Sequence, residues 1–195
     1  MTIGIDEVGR GPLAGPVFVA AVALPSRLDL KKSDLPLRDS KRLTAHQRKA
    51  WCAWIKKNRE ILYAVARCGP KLIDRINITQ AANRAAKRAY GKIIASLSAK
   101  HYPLATLLDA GLRLPQGIAQ KNVVKGDEKI PAIALASILA KVARDAYMTK
   151  QAQHYPEYGW EKNKGYGTAL HIKALKKCGP CDIHRLTFIR NFRIL

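Results

Sequence analysis

The sequence predicts an α/β domain built on a mixed β-sheet. Short segments rich in aliphatic and β-branched residues alternate along the chain with longer segments of helical periodicity, which is the pattern of a sheet covered by helices. One of the short segments is a continuous apolar run, typical of a strand buried on both faces. A chain of 195 residues suits one well-cored domain. We therefore expect a single domain over residues 1–195, with a C-terminal helix-loop segment over residues 155–195.

Five segments have the composition of β-strands. Each is a short run dominated by Val, Ile, Leu or Ala, and Gly or Pro follows several of them closely. The first two are joined through a Gly-Arg-Gly-Pro turn and should lie centrally in the sheet. The predicted strands cover residues 2–7, 17–24, 61–67, 104–108 and 118–124.

Helical periodicity occupies the intervals between these strands. Thr44 begins a capping-box pattern, which predicts a helix over residues 45–58. An Ala-rich segment over residues 79–99 carries basic residues at spacings that place them on one helical face. A long apolar helix is expected from about residue 131 to residue 153. The C-terminal segment contains a basic helix over residues 170–177.

The charge of the chain indicates a polyanionic partner. Lys and Arg number 35 against 14 Asp and Glu, a formal net charge of +21, so the chain repels itself unless a polyanion is bound. An anionic membrane surface is the alternative, but the basic residues are spread along the whole chain. No apolar run is long enough to span a bilayer, and the N-terminus lacks a signal-peptide pattern. We expect a cytoplasmic protein that binds nucleic acid and no membrane.

Acidic residues, although few, follow three of the predicted strands. Asp6 and Glu7 end the first strand, Asp109 ends the fourth, and Asp127 follows the fifth after two intervening residues. Strand ends of one α/β sheet can converge on a single crevice, and gathered carboxylates repel one another unless protons or divalent cations neutralise them. Oxygen ligands favour Mg²⁺ or Mn²⁺ over zinc. For each acid taken alone, a cap or a solvated strand end is the alternative.

Asp6 and Glu7 pose a geometric question. Neighbours on a regular strand point to opposite faces of the sheet, so both can bind metal only if the strand twists or ends there. If they do, carboxylates that hold metal ions inside a basic protein fit a nuclease, because two such ions can drive hydrolysis of a phosphodiester.

Six short motifs occur in order along nearly the whole chain. They are DEVGRGPLAGPV at residues 6–17, DSK at 39–41, LLDAG at 107–111, KGD at 125–127, IALASILAKVARD at 133–145 and NKGYGT at 163–168. Together they resemble bacterial ribonuclease HII, the type 2 ribonuclease H family. The resemblance implies the ribonuclease H-like fold, a five-stranded mixed sheet flanked by helices.

The resemblance also implies an activity. It predicts a two-metal endoribonuclease, using Mg²⁺ or Mn²⁺, that cleaves the RNA strand of RNA/DNA hybrids. It predicts nicking on the 5′ side of a single ribonucleotide embedded in duplex DNA, which leaves 3′-hydroxyl and 5′-phosphate ends. Such an enzyme serves DNA repair and replication by removing ribonucleotides and RNA primers.

Individual residues receive roles from the same resemblance. The metal-binding and catalytic carboxylates would be Asp6, Glu7, Asp109 and Asp127. Gly9, Arg10 and Gly11 would read the ribonucleotide 2′-hydroxyl with backbone groups, which suits glycine because the backbone must approach closely, and Tyr166 would pack at the RNA–DNA junction. Phosphate contacts are assigned to Ser40, Lys41, Lys141 and Arg144, for which ordinary surface charge is the alternative.

Two features of the chain depart from this pattern or compete with it. The Asp-Gly usual at the third carboxylate is Asp109-Ala110-Gly111 here, which would shift the turn after the ligand. Cys178-Gly179-Pro180-Cys181 has the composition of a thioredoxin-type motif, and with His171 and His184 it has spacing that allows zinc. We favour a turn that ends the preceding helix.

Two other functional hypotheses stay open at this point. A non-catalytic, basic nucleic-acid-binding protein of the same fold is the first, although the intact carboxylate set argues against it. Ribonuclease HIII is the second, but it carries an extra N-terminal domain and lacks Gly-Arg-Gly, and with the first acid at residue 6 no such domain is expected. We further expect a monomer whose residues 188–195 are candidates for binding a replication clamp.

Overall fold

The five-stranded mixed sheet is confirmed. The structure, a computed structural model, describes residues 1–37, 40–97 and 104–190. Its strands are β1 (Thr2–Val8), β2 (Val17–Leu24), β3 (Leu62–Cys68), β4 (Ala105–Asp109) and β5 (Lys121–Val123). They lie in the order β3-β2-β1-β4-β5. The β1–β2 and β2–β3 pairs are antiparallel, and the β1–β4 and β4–β5 pairs are parallel.

Helices cover both faces of the sheet. Within the described ranges they are α1 (Ala45–Lys57), α2 (Pro70–Leu97), α3 (Gly126–Lys129), α4 (Pro131–His154), α5 (Trp160–Asn163), α6 (Ala169–Cys178) and α7 (Leu186–Ile189). Short 3-10 turns cover Leu30–Ser33 and Pro156–Tyr158. No helix in these ranges is long and apolar enough to cross a membrane.

The alternation of β1 divides the core into two layers. Ile3 and Ile5 are fully buried and pack with residues of α2 on one face of the sheet. Gly4 faces α4, where a Cβ would lie 2.2 Å from the carbonyl carbon of Ala132. Because only glycine has no Cβ, the backbones of β1 and α4 can touch at this point. The end of β1 is thereby fixed between α2 and α4.

Helix α2 begins earlier than predicted. It starts at Pro70 and is interrupted at Asn77, whose φ of 65° and ψ of 166° are not helical. The side chain of Asn77 accepts a hydrogen bond from the amide of Gln80 at 3.0 Å, which caps the longer part of the helix. The prediction therefore found the segment that follows the cap and missed the turns before it.

The C-terminal segment packs on the turn that follows β1. Leu13 and Ala14 of that turn lie in one apolar cluster with Trp160, Leu175 and Ile189. Backbone hydrogen bonds join the same parts, from Leu13 N–H to the Gly165 carbonyl (2.8 Å). The turn after β1 is thus enclosed by residues that follow it by about 150 positions or more.

Candidate active site

Three carboxylates converge at one edge of the sheet. One oxygen each from Asp6, Glu7 and Asp109 lies within 4.8 Å of the other two. The convergence follows from topology, because β1 and β4 are parallel neighbours with Ile5 opposite Leu108. The carboxyl ends of parallel strands meet at the same edge of a sheet. The sequence-based expectation that strand ends would gather these three acids matches the geometry.

Asp6 and Glu7 reach this place from opposite faces of β1. Asp6 shares the face of Gly4, toward α4, and is hydrogen-bonded by the side chain of Ser137. Glu7 shares the face of Ile5, and its Oε1 lies 3.4 Å from Nη1 of Arg10. Because β1 ends one residue later, at Val8, both side chains can turn toward the strand end. The geometric question posed by the sequence is answered in this way.

The electrostatics of the cluster favour protons or a cation. Burial raises the pKa of Asp6 well above its usual range, and the charge of Glu7 raises it further. Burial likewise raises the pKa of Glu7 to about 7, against the lowering effect of Arg10, with a further increase from Asp109. The side chain of Glu7 is 8% exposed, and its Oε2 is buried with no hydrogen-bond partner. An orphaned carboxylate oxygen among acids fits a divalent metal held by oxygen ligands.

Asp127 lies beside the cluster but outside the group of three. It stands in the first turn of α3, one residue after Gly126, whose amide donates to Oδ1 of Asp109 at 2.9 Å. A Cβ at Gly126 would lie 2.6 Å from Cδ1 of Ile133, so α3 packs tightly on α4 here. The role of Asp127 as a ligand stays a prediction.

The unusual Asp109-Ala110-Gly111 segment forms a turn that leaves Asp109 in the cluster. The amide of Leu112 donates to the Asp109 carbonyl at 3.3 Å. Gly111 has a φ of +109°, a conformation that favours glycine at the third position of such a turn. Its carbonyl accepts a hydrogen bond from Nη1 of Arg10 at 3.2 Å. The turn therefore connects the third carboxylate with the Gly-Arg-Gly segment.

The Gly-Arg-Gly segment forms a turn next to the acids in which Gly9 is buried, Arg10 is half-buried and Gly11 is exposed. Gly9 has a φ of +98°, and a Cβ there would lie 2.2 Å from Nε of Arg144. A Cβ at Gly11 would meet nothing within 4 Å, so a ligand has room to approach. The Arg10 side chain also donates to the Thr79 hydroxyl at 3.1 Å. The turn is therefore packed against the protein at Gly9 and open to a ligand at Gly11.

Tyr166 lies on a loop attached to the same region. The residue is 43% exposed, and Cζ of Arg144 lies 5.8 Å from the centre of its ring. The preceding residue, Gly165, accepts hydrogen bonds from Leu13 and Ala14. The structure therefore places the ring of Tyr166 on the loop that closes against the turn after β1.

The structure separates the four predicted phosphate contacts into two kinds. Lys41 is exposed and Lys141 is half-buried, with its Nζ 2.8 Å from Asp145; both stay predictions. Ser40 and Arg144 are buried, which does not support direct contact with phosphate. Asp39, the first residue of the DSK motif, lies outside the described residues.

Ser40 and Arg144 instead support the site from within. The Ser40 hydroxyl lies 2.8 Å from that of Ser137, so a chain of hydroxyls leads to Asp6. Arg144 donates to the carbonyls of Pro16 (3.2 Å) and Ala14 (3.1 Å). Ser137 was missed as a candidate because a serine inside an apolar helical run carries no signal of its own.

The cysteine motif does not assemble a metal site. Helix α6 ends at Cys178, so the motif follows a helix and does not begin one. His171 and His184 hydrogen-bond to each other through their Nε2 atoms at 3.1 Å, and the Cys181 amide donates to Nδ1 of His184. Among the residues described by the structure, the three acids are the one group placed to hold a metal ion. The turn that ends α6 is the interpretation that the structure supports.

Comparison with known proteins assigns the chain to a family. The family model described as Ribonuclease HII matches residues 3–191. The chain belongs to the ribonuclease HII family. A ribonuclease HII from Caldicellulosiruptor bescii is 46% identical over 189 residues, covering 96% of this chain and 86% of the relative. One from Pelagibacter ubique is 44% identical over 187 residues, covering 95% and 94%.

Solved structures agree with this assignment to ribonuclease HII. The enzyme in a PCNA:RNase HII complex from Archaeoglobus fulgidus superposes with a TM-score of 0.76 at 27% identity, covering 99% of this chain and 97% of that one. Ribonuclease H2 of Pyrococcus horikoshii gives 0.70 at 26% identity, covering 98% and 96%. Bst-RNase HIII in complex with Mn²⁺ gives 0.78 at 21% identity, covering 99% and 68%, and shows the shared fold.

Membership in the ribonuclease HII family confirms the resemblance that six motifs indicated. The protein is a ribonuclease H, a nuclease that hydrolyses phosphodiester bonds. The ribonuclease H-like fold is confirmed by the same comparisons.

Proposed function

We propose that the protein is a divalent-metal-dependent endonuclease that cuts 5′ of ribonucleotides. Its substrates would be RNA/DNA hybrids and duplex DNA with single embedded ribonucleotides. The observation that carries the proposal is the convergence of Asp6, Glu7 and Asp109 within 4.8 Å, next to a turn whose glycines permit close backbone approach. The alternative, a non-catalytic binding protein, has no use for three acids that repel one another at one edge of the sheet.

The three acids would hold Mg²⁺ or Mn²⁺, with Asp127 as a further ligand. Divalent ions supply Lewis acidity that activates water and stabilises a leaving oxygen. The protein's own contribution is orientation. Ser137 hydrogen-bonds Asp6, the Gly126 amide fixes Asp109 at 2.9 Å, and Arg10 holds one oxygen of Glu7. The other oxygen of Glu7, the buried Oε2 with no hydrogen-bond partner, is free to bind a cation.

Choice of the cutting position belongs to the Gly-Arg-Gly turn and Tyr166. The 2′-hydroxyl is the group that distinguishes RNA from DNA, so a protein that selects a ribonucleotide must contact it. Gly9, Arg10 and Gly11 can offer backbone groups beside the carboxylates without side-chain obstruction at Gly11. The exposed ring of Tyr166 can pack against the nucleotide that follows.

Duplex binding would depend on the basic surface, with Lys41 and Lys141 as candidate phosphate contacts. The net charge of +21 supports a polyanionic partner. A replication clamp is proposed as a second partner, since the Archaeoglobus relative is described in a complex with PCNA. Residues 188–195 are the candidates for binding it, and those from 191 onward lie outside the described ranges. We further propose that the protein is a monomer and that it works in the cytoplasm, in repair and replication of DNA.

A duplex with one ribonucleotide tests the proposal. The purified protein is incubated with end-labelled duplex and Mg²⁺ or Mn²⁺, with an all-deoxy duplex of the same sequence as control. We expect one nick on the 5′ side of the ribonucleotide, with a 3′-hydroxyl end, and no nick in the control. Asp6→Asn should abolish cleavage and preserve binding. Binding without cleavage by the unaltered protein, in both metals, would favour the non-catalytic alternative.

A further inference from the structure

Arg185 holds the Gly-Arg-Gly turn from behind. We infer that Arg185 is a positioning residue that sets the geometry of this turn and thereby the ability of the protein to select a ribonucleotide. The inference rests on the proposed function of the turn. Neither the sequence motifs nor the family assignment singled out this residue, which lies 176 positions from Gly9.

One guanidinium group binds three carbonyls of the turn region. Nη2 of Arg185 donates to the Gly9 carbonyl at 2.6 Å, and Nη1 donates to the Arg10 carbonyl at 2.8 Å. Nε donates to the Gly15 carbonyl at 2.9 Å. The planar fork of arginine makes several bonds in a fixed relative geometry. Two consecutive peptide groups of the turn are thus fixed by a single rigid group.

The orientation of those carbonyls determines where the neighbouring amides point. In a planar trans peptide, the N–H points opposite to the C=O of the same peptide group. With the carbonyls of Gly9 and Arg10 directed at Arg185, the amides of Arg10 and Gly11 point away from it. Neither amide has a hydrogen-bond partner among the described residues. The turn therefore presents two adjacent free donors, as an oxygen ligand such as a 2′-hydroxyl requires.

Burial makes Arg185 and the turn dependent on each other. Arg185 is fully buried, and none of the ion pairs among the described residues involves it. A buried charge that forms no ion pair needs other polar groups around it, and here backbone carbonyls fill that need. Burial and the nearby Arg144 lower the pKa of Arg185 to about 9. The carbonyls cannot turn away without leaving this cation unsolvated, so the turn is held in one conformation.

The residues around Arg185 fix its own position. Its amide donates to the Leu13 carbonyl at 2.8 Å, and its Cζ lies 5.0 Å from the ring centre of Phe188. The amide of Leu186, the next residue, donates to Asp74 of α2 at 2.9 Å. Arg185 is therefore anchored to a rigid frame, which a positioning residue requires.

Replacing Arg185 by lysine tests the inference. Lysine keeps the charge but lacks the planar fork, so it cannot bind the carbonyls of Gly9 and Arg10 in the same fixed geometry. We expect kcat/KM on the duplex with one ribonucleotide to fall about 10- to 100-fold, because small misplacement of a binding group has such effects, with most of the loss in kcat. The affinity for the all-deoxy duplex should stay within about twofold, since phosphate contacts dominate it. Mn²⁺ binding, measured by calorimetry, should not change, because the carboxylates are untouched.

Ile189→Val is the matched control. Ile189 is fully buried on helix α7, which begins directly after Arg185, so the variant perturbs packing of this segment while leaving Arg185 in place. It should lower the melting temperature and keep kcat/KM. An Arg185→Lys protein with unchanged kcat/KM would overturn the inference. A second outcome would also overturn it. If Arg185→Lys and Arg185→Gln both fail to fold while Ile189→Val folds, Arg185 is a structural residue. Lack of cleavage by the unaltered protein would instead overturn the proposed function.

Discussion

Glu7 carries the clearest signature of a metal site at the scale of a single residue. Its Oε2 is buried and has no hydrogen-bond donor, and its pKa is raised to about 7, chiefly by burial. In the metal-free protein, the folded state keeps the proton of Glu7 up to about pH 7, whereas the unfolded state loses it near pH 4.5. Raising the pH between these values therefore favours the unfolded state. The stability of the metal-free protein should therefore decrease as the pH rises from about 4.5 to 7.

Glu7→Gln should stabilise the metal-free protein and remove its response to metal. At pH 8 we expect a gain on the order of 1–3 kcal/mol, the size that corresponds to a raised carboxyl pKa. The melting temperature should no longer rise when Mn²⁺ is added, and cleavage should be lost. Glu60→Gln, at an exposed acid paired with Arg27, is the control and should leave all three measurements unchanged. A variant that gains as much stability from Mn²⁺ as the unaltered protein would exclude Glu7 as a ligand.

His184 should make the protein sensitive to acid. Burial and the neighbouring His171 lower its pKa to about 4, and its Nδ1 already accepts the Cys181 amide at 2.9 Å. Between about pH 6.5 and 4 the unfolded chain takes up a proton that the folded protein refuses, so stability falls as the pH falls through this range. Over this whole range His184 alone should lower the free energy of unfolding by roughly 3 kcal/mol.

His184→Asn tests this acid sensitivity. Asparagine keeps an acceptor near the Cys181 amide but does not titrate. The variant is expected to be less stable at pH 7 and to lose less stability than the unaltered protein between pH 7 and pH 5. Thermal melts at both pH values measure the difference. Equal losses in the two proteins would show that His184 does not titrate in this range.

At the scale of elements, the contact between β1 and α4 positions the first carboxylates. A Cβ at Gly4 would lie 2.2 Å from the Ala132 carbonyl carbon and 2.3 Å from the Ile133 amide nitrogen, and backbone atoms cannot move aside as a flexible side chain can. Gly4→Ala should therefore cost at least roughly 2 kcal/mol of stability. The denaturation midpoint in urea measures the cost.

Gly91→Ala is the matched control for this packing contact. Gly91 lies in α2, where a Cβ would meet nothing within 4 Å, so alanine should stabilise that helix by about 0.5–1 kcal/mol. The two replacements are therefore expected to change the stability in opposite directions. A Gly4→Ala protein as stable as the unaltered one would mean that α4 can move away from β1.

The sequence predicted those elements whose signals are local. Strand β2 was placed at its observed bounds, and α1 was placed to within one residue, because an apolar run and a capping box are both short-range patterns. The turns of α2 before Asn77 were missed because the cap inside the helix resembles a beginning. Strand β5 is shorter than predicted, since the side chain of Gln120 bonds both backbone groups of Leu114, and the strand begins only at the next residue.

The sequence predicted the acids of the candidate site but not the buried residues that hold the site in place. Asp6, Glu7 and Asp109 end strands, and topology gathers strand ends. Burial of Ser40 and Arg144, by contrast, depends on how α4 packs against β1 and the turn that follows it. A sequence carries no sign of which arginine faces solvent, so Arg185 was not selected and Arg144 was assigned to phosphate.

At the scale of the whole molecule, the net charge of +21 should dominate binding to nucleic acid. The logarithm of the association constant for an all-deoxy duplex should fall steeply and linearly with the logarithm of salt concentration, with a slope of about −0.9 for each phosphate neutralised. Lys41→Gln and Lys141→Gln should each reduce the slope by about one if the residue contacts phosphate. Equilibrium titrations between low and physiological salt measure it. An unchanged slope would assign that lysine to the solvated surface.

The hydrogen bonds from Arg185 to Gly9 and Arg10 also affect how the protein is made. They join parts of the chain 176 and 175 positions apart, whereas the carboxylates of Asp6, Glu7 and Asp109 all precede residue 110. Chains fold from the N-terminal side during synthesis, and contacts distant in sequence form late. A nascent chain on the ribosome therefore contains all three acids long before Arg185 is available to fix the turn. The turn can reach its final conformation only when nearly all of the described chain has emerged.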